Sequence, residues 1–349
     1  MVSVITTVAG IGMEPIIWRK WEECMNNFKT LSSLVAFAAA LAVTNAEARE
    51  LRLSTIAPEN HNWTWVAREV SKELAAHPEL DLQLTVFAGG QLGGEPETLQ
   101  QIELGLIDMG LFTVATLASR APSMNGWFTP YLFSDVREAG AARSLPEAQQ
   151  MLEELQGSGV VGLGYTMAGM RHIMSRGAPI QSGVDMANKK VRITPFDAAK
   201  TWWEAIGAVP TPVPVSSVYQ SIQSGVVDLV ETDLDLINSL SLQEVAKGLT
   251  MTGHMVFPGG IVISQQVLDD LTPEQQRGLR DAVEKASAEG VEAQIKAEET
   301  NFARVSANIT VVRLSENAAG FEAAAGAFDA KFGRIPLVSA FQDKVRAAK

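Results

Sequence analysis

Apolar residues recur along this chain in short runs whose spacing switches between two and about 3.6. Leu51 to Ile56 alternates apolar with polar positions, as a half-buried strand does. His61 to Leu74 follows with helical spacing at Trp65, Val66, Val70 and Leu74. Asp81 to Phe87 predicts a second strand, then a turn segment from Ala88 to Gly94 and a helix from Glu95 to Leu104. Leu106 to Phe112 reads as a buried strand. A Pro- and aromatic-rich stretch, 122–133, separates it from two helices at 136–143 and 146–155 and an apolar strand at 160–167. The β-α-β-α order predicts an α/β lobe with a largely parallel sheet.

A second cycle starts near Met170. Arg171–Met174 and Lys190–Thr194 read as strands, and Asp197 is placed to cap a helix that runs to Ile206 and ends at Gly207. An extended, Pro-punctuated stretch at 209–213 follows. Ser216 or Ser217 then caps a helix over 218–223, Gly225 stops it, and 226–231 is the next strand. Two α/β units in one chain imply two lobes with a crevice between them. Thr272-Pro-Glu-Gln275 is a capping box with Pro at the first helical position. The helix it opens runs to about Ser306. Thirty-odd residues at a rise of about 1.5 Å extend roughly 50 Å, longer than one lobe needs, so this helix is expected to touch both. Gly290 is its expected bend. A strand at 309–314 and an Ala-rich helix at 316–348 close the chain.

The N-terminal pattern is different. Lys29 precedes an apolar run from Leu31 to Val43 and a small-x-small site, Ala46-Glu-Ala48, the layout of an export signal cleaved after Ala48. The run is too short to span a bilayer, which takes about 20 residues. Glu14, Glu22 and Glu23 do not fit in front of such a signal, so translation is expected to start at Met25, with 1–24 an overhang. Cys24 would then drop out.

Composition narrows the function. The chain has 349 residues, 46% hydrophobic and 19% charged, with a formal charge of -12. Loss of 1–48 leaves 25 basic against 36 acidic residues, a charge of -11. An acidic chain has no field for phosphates, which argues against nucleic acid. A single cysteine excludes an intrachain disulfide and a cysteine zinc cluster. The sequence holds no Gly-x-Gly-x-x-Gly, no P-loop and no Gly-x-Ser-x-Gly elbow. The four histidines lack metal-ligand spacing, although His61 and His254 fall in loops at strand ends. No cofactor is expected.

The informative unit is 189–235. In the strand around Arg192, Val191 and Ile193 point to one face and Arg192 and Thr194 to the other. Arg192 thus lies near the carboxyl end of a strand, where open α/β sheets bind ligands. Spacing alone allows either a solvated arginine or a guanidinium that holds a carboxylate through two parallel hydrogen bonds.

Val191-Arg-Ile-Thr-Pro195, Gly207-Ala-Val-Pro-Thr-Pro212, Ser216-Ser-Val-Tyr219 and Gly225-Val-Val-Asp-Leu-Val-Glu231, in that order, resemble the solute-binding proteins of tripartite ATP-independent periplasmic (TRAP) transporters, the DctP family. Gly90-Gln-Leu-Gly93, Gly105-Leu-Ile-Asp108, Pro130-Tyr-Leu-Phe133, Gly169-Met-Arg171 and Thr252-Gly-His254 extend the resemblance over essentially all of 50–349. It implies a type II periplasmic-binding-protein fold, with two α/β lobes joined by hinge strands and a long spanning helix. The expected division is 49–168 with 257–296 in the first lobe, and 169–256 with 297–349 in the second. The implied role is capture of a small organic acid in the periplasm by a monomer that is not itself membrane-embedded. Delivery is to the small and large subunits of a TRAP permease. Alternatives of other classes are a binding protein for an ABC importer or sensor, and an exported enzyme on the same fold, for which no nucleophile or cofactor loop speaks.

The resemblance also implies residue roles. Arg192 sits at the family's carboxylate-clamping arginine, Arg171 at a second ligand-facing arginine and Thr113 at a pocket-lining position. Glu231, Thr232 and Asp233 stand where many members read Glu-Asn-Pro. That departure puts a simple dicarboxylate or sialic acid in doubt, and Asp233 either meets the ligand or caps a helix. Val215 replaces an aromatic residue of some members. His61, Asn62 and Trp63 form the first crevice loop, and Trp65, Trp202 and Trp203 are further candidates for the wall. Intact-mass measurement of protein recovered from the periplasm is expected to give a chain beginning at Arg49; retention of 1–48 would overturn export with cleavage.

Overall fold

The strand-helix alternation resolves into two separate sheets. The computed structural model describes residues 48–314 and 320–349; the expected leader and overhang lie outside them. In chain order the strands are β1 (Arg49–Thr55), β2 (Leu82–Phe87), β3 (Met109–Thr113), β4 (Val160–Met170), β5 (His172–Ser175) and β6 (Lys190–Ile193). Then come β7 (Val209–Pro212), β8 (Leu229–Thr232), β9 (Gly248–Met251), β10 (Val256–Ser264) and β11 (Thr310–Arg313). The first sheet has the order β2-β1-β3-β10-β4 and the second β11-β9-β5-β8-β6-β7. Each is parallel except for one reversed strand, β10 in the first and β5 in the second.

The helices are α1 (Asn62–Ala76), α2 (Glu95–Glu103), α3 (Val114–Leu117), α4 (Val136–Ala142), α5 (Pro146–Glu153) and α6 (Asp197–Ala205). They continue with α7 (Val218–Ser224), α8 (Leu234–Ser239), α9 (Gln265–Asp269), α10 (Pro273–Ser306), α11 (Glu322–Phe332) and α12 (Pro336–Ala347). Most boundaries fall near the sequence pattern, and the departures have local causes. The strand expected from Leu106 begins only at Met109, because Leu106 is 60% exposed in the turn that closes α2. Likewise β8 begins at Leu229, not at Val226, which follows the left-handed Gly225 and is exposed. Asp197 is the first helical residue of α6, not its cap; Phe196 takes the cap position and the Asp197 carboxylate pairs with Lys331. Ser217 occupies the cap position of α7 but makes no side-chain capping bond.

Thr272 and Gln275 form the predicted reciprocal capping box, and α10 then runs unbroken for 34 residues. It packs on α1, β4 and α4 at the first sheet and on α8 at the second, so it does touch both. Gly290 does not bend it. A Cβ there would stand 2.2 Å from Val66 Cγ2, so the glycine is what lets α1 lie close against α10. The expected C-terminal helix is two, α11 and α12. While α11 packs on α6, α12 packs on the 122–128 segment and α5, with Phe341 4.9 Å from the Trp127 ring. The sequence expectation puts 297–349 with the second lobe; an apolar face of α12 with Val338 and Phe341 is buried against the first sheet's side.

Two chain crossings join the sheets beside α10. Only Arg171 separates β4 from β5, and residues 252–255 separate β9 from β10. The crossings are bonded to each other: Arg171 N donates to Met255 O at 2.8 Å, and Val256 pairs with Met170. One apolar core runs from the first sheet to Trp202 and Trp203, and a smaller one surrounds Met174, Ile222 and Leu249. Among the described residues no helix is long and apolar enough to cross a membrane, and no group of side chains is placed to hold a metal ion.

Two stability outcomes follow. Gly290→Ala is expected to destabilise by about 1–3 kcal/mol through overpacking against Val66, although helix propensity alone favours alanine by about 1 kcal/mol; equilibrium denaturation decides which wins. Glu298, on α10, is pushed up to about 7, chiefly by burial, with Asp233, Asp235 and Asp135 adding to it. Its proton is bound more tightly folded than unfolded, so this contribution is full below the ordinary glutamate range and is lost as pH rises through 7. At about 1.4 kcal/mol per unit the loss is at most about 3.5 kcal/mol. Glu298→Gln should therefore melt higher than the parent at pH 8 and close to it at pH 4; equal shifts at both would refute the assignment.

Candidate ligand-binding site

The carboxyl ends of β1, β3, β6 and β8 open toward one another across the crossings. Between them lies a narrow cavity of about 30 Å³. Its wall takes Pro58, Trp63 and Thr113 from the first sheet's side and Thr194, Val215 and Leu236 from the second. Arg171, Asp233 and Phe257 close it at the hinge.

Arg171 is the centre of a buried ion network. Its Nε donates to Glu231 Oε1 at 3.2 Å, Nη1 to Asp233 Oδ2 at 2.7 Å and Nη2 to the Glu231 carbonyl at 2.9 Å. Its guanidinium carbon lies 4.1 Å over the Phe257 ring. Burial alone would raise the Glu231 carboxyl, but Arg171, His254 and Arg192 outweigh it and hold the group at about 2. His254 is buried with Nδ1 2.8 Å from Thr252 Oγ1 and its ring stacked on Trp202, and burial pushes its own pKa down. Every hydrogen-bonding arm of Arg171 thus meets the protein. A pair desolvated this far holds its position because breaking it strands a buried charge.

Arg192 is the contrasting case. It is 1% exposed, which rules out the solvated arginine. Nε donates to Val213 O at 3.0 Å and Nη1 to Glu231 O at 3.4 Å, so among the described residues only carbonyls accept from it. Nη2 is buried and finds no acceptor among the described residues. Burial, then repulsion from Arg171, lowers its pKa to about 9 despite the pull of Glu231 and Asp233. A cation in that position gains from an added anion. Arg192 does not itself line the closed cavity, whereas Thr194 and Val215, two residues beyond Arg192 and Val213, do.

On the first side, His61 caps α1: Nδ1 accepts the Trp63 amide at 3.1 Å, which puts the ring proton on Nε2, 3.5 Å from Asp235 Oδ2. Trp63 lies parallel to Phe257 at 6.1 Å and close to Gly259, where a Cβ would come within 2.8 Å of the indole. Gly259 pairs with Thr113 in β3, so ring and hydroxyl are neighbours. The Thr113 hydroxyl and amide both donate to the buried Glu95 carboxylate, at 2.7 and 2.6 Å.

Of the residues singled out in the sequence, His61, Trp63, Thr113, Arg171 and Asp233 meet at the cavity. Asp233 caps a helix, one of the two roles expected of it, since Oδ1 accepts the Leu236 amide at the start of α8, and its Oδ2 holds Arg171. Asn62 is turned away: Nδ2 ties Met167 O to Gly290 O, and only its backbone N–H reaches Asp235. Glu231 and Thr232 are buried in β8 behind the wall. Trp202 and Trp203 are core, and Trp65 is partly exposed on α1. Sequence reasoning missed Phe257 and Leu236, whose apolar runs look like any core strand or helix. Nothing in the sequence signals that Asp235 bridges to α1.

The sequence profile of bacterial extracellular solute-binding protein family 7, DctP, matches residues 53–330. The uncharacterized protein YiiZ of Salmonella typhimurium is 30% identical over 210 residues, 60% of this chain and 64% of the relative's own length. A TRAP periplasmic solute-binding protein of Bradyrhizobium, solved with galacturonate, superposes with a TM-score of 0.80 at 27% identity over 86% of this chain and all of that one. One from Xanthobacter autotrophicus, with bound β-D-galacturonate, gives 0.80 at 26% identity over the same 86% of this chain and all of its own. With a matching profile over most of its length, this chain belongs to the DctP family of bacterial extracellular solute-binding proteins.

Proposed function

We propose that this chain is a periplasmic receptor that captures a small organic acid between its two lobes and delivers it to a TRAP membrane permease. The observation that carries the reading is Arg192, a buried guanidinium whose only partners are carbonyls and whose Nη2 has no acceptor among the described residues. The carboxylates bound by the two structural neighbours give it the matching chemistry.

Capture follows from the geometry. In an open form the carboxylate meets Arg192 from water. Closure removes that water, and the ion pair strengthens as the local dielectric falls. Contacts from both sheets then favour the closed form, and the two crossings at Arg171 and 252–255, with α10 beside them, are where the backbone turns. Nothing in this scheme calls for a chemical step, and the family is one of binding proteins.

A calorimetric or thermal-shift screen of organic acids on the mature protein is expected to give a hit, with about 2.7 kcal/mol of added stability at a hundredfold excess over Kd. Arg192→Ala should weaken that acid at least a hundredfold while far-UV circular dichroism stays native. Undiminished affinity in the folded variant would remove the basis of the proposal.

A further inference from the structure

Two buried guanidiniums and three buried carboxylates stand at or just behind the cavity, and of the five Arg171 and Asp233 line it. Arg171 and Arg192 are both buried, as are Glu231, Asp233 and, at 9% exposure, Asp235. Glu231 and Asp233 are already committed to Arg171, at 3.2 and 2.7 Å. Asp235 Oδ2 accepts the Asn62 amide at 2.8 Å and faces His61 at 3.5 Å. Even with a proton on His61 the carboxylates equal the cations, and without it they exceed them. Glu95 adds a further buried carboxyl behind Thr113, tied by Thr113 and Thr116. Burial raises both Glu95 and Asp235, so each already resists its own negative charge. The rest of the wall (Ile56, Trp63, Val215, Leu236, Phe257) is uncharged.

We infer that the ligand of this site is a monoanion, a single carboxylate held at Arg192 on a body that carries no second charge. The inference rests on the carboxylate reading above and sharpens it. One guanidinium nitrogen is left for an incoming anion, and the other cation has its carboxylates in place. A second ligand carboxylate would be buried beside Asp233, with Asp235 and Glu95 behind the wall and no uncommitted cation lining the cavity, which is the costly arrangement for a desolvated charge. Uncharged polar groups face no such penalty, because those same carboxylates accept hydrogen bonds.

The test is titration calorimetry of the mature chain with acids matched in skeleton and differing in one charge: galacturonate against galactarate, succinamate against succinate, and glutaramate against glutarate. In every pair that binds, the monoacid is expected to be at least tenfold tighter. Val215→Lys, which places a cation in the uncharged wall, should narrow the gap by raising diacid affinity. A diacid equal to or tighter than its monoacid would overturn the inference and leave the carboxylate reading standing. A folded protein that binds no acid at all would overturn both.

Discussion

Everything at the crevice depends on the burial of two guanidiniums where the chain passes from one sheet to the other. Neither Arg171 nor Arg192 touches bulk water, and a buried cation persists only where something meets it. The protein meets Arg171 completely, with two carboxylates, a carbonyl and an aromatic face. It meets Arg192 with carbonyl oxygens alone. That asymmetry divides the labour. Arg171 secures the crossing, since its own backbone is the single residue between β4 and β5, while Arg192 keeps a buried Nη2 with no acceptor among the described residues.

Much of the fold could be read from periodicity. The two α/β cycles, the capping box of α10 and the Gly225 stop all follow from local chemistry that is written in consecutive residues. What could not be read is what depends on distant neighbours. Gly290 looks like a helix breaker until Val66 is known to lie against it. The destination of α12 is set by Trp127 and Phe133, some two hundred positions upstream, and nothing local to 336–347 points there. Sequence spacing likewise located Arg192 at a strand end but left its solvent exposure open, because the helices that cover that strand face were not yet placed.

The site was legible to the extent that it is polar. Arg171, Asp233, His61 and Trp63 stand out as residues a core would not use without reason. Their roles are less simple than a list of ligand contacts suggests, since several hold one another before any ligand arrives. Asp233 caps α8 and grips Arg171 with its two oxygens, and Asp235 reaches from the second sheet's side to the first turn of α1 on the other. Asn62, by contrast, spends its side chain on the backbone of β4 and α10. Phe257 had no polar signature at all, yet it supplies a wall for the cavity and a face for the Arg171 guanidinium.

A protein of charge -12 that takes up an anion has no help from its long-range field. Beyond about 8–10 Å from an exposed charge, salt screens most of that disadvantage, so repulsion weighs mainly on the encounter. Inside the closed crevice the order reverses. Screening is gone, the dielectric is low, and the nearest charges decide. There the balance of Arg192 against Asp233, Asp235 and Glu231 counts for more than the whole surface. Selectivity is therefore a matter for buried side chains, because the field that repels every anion alike cannot tell one acid from another.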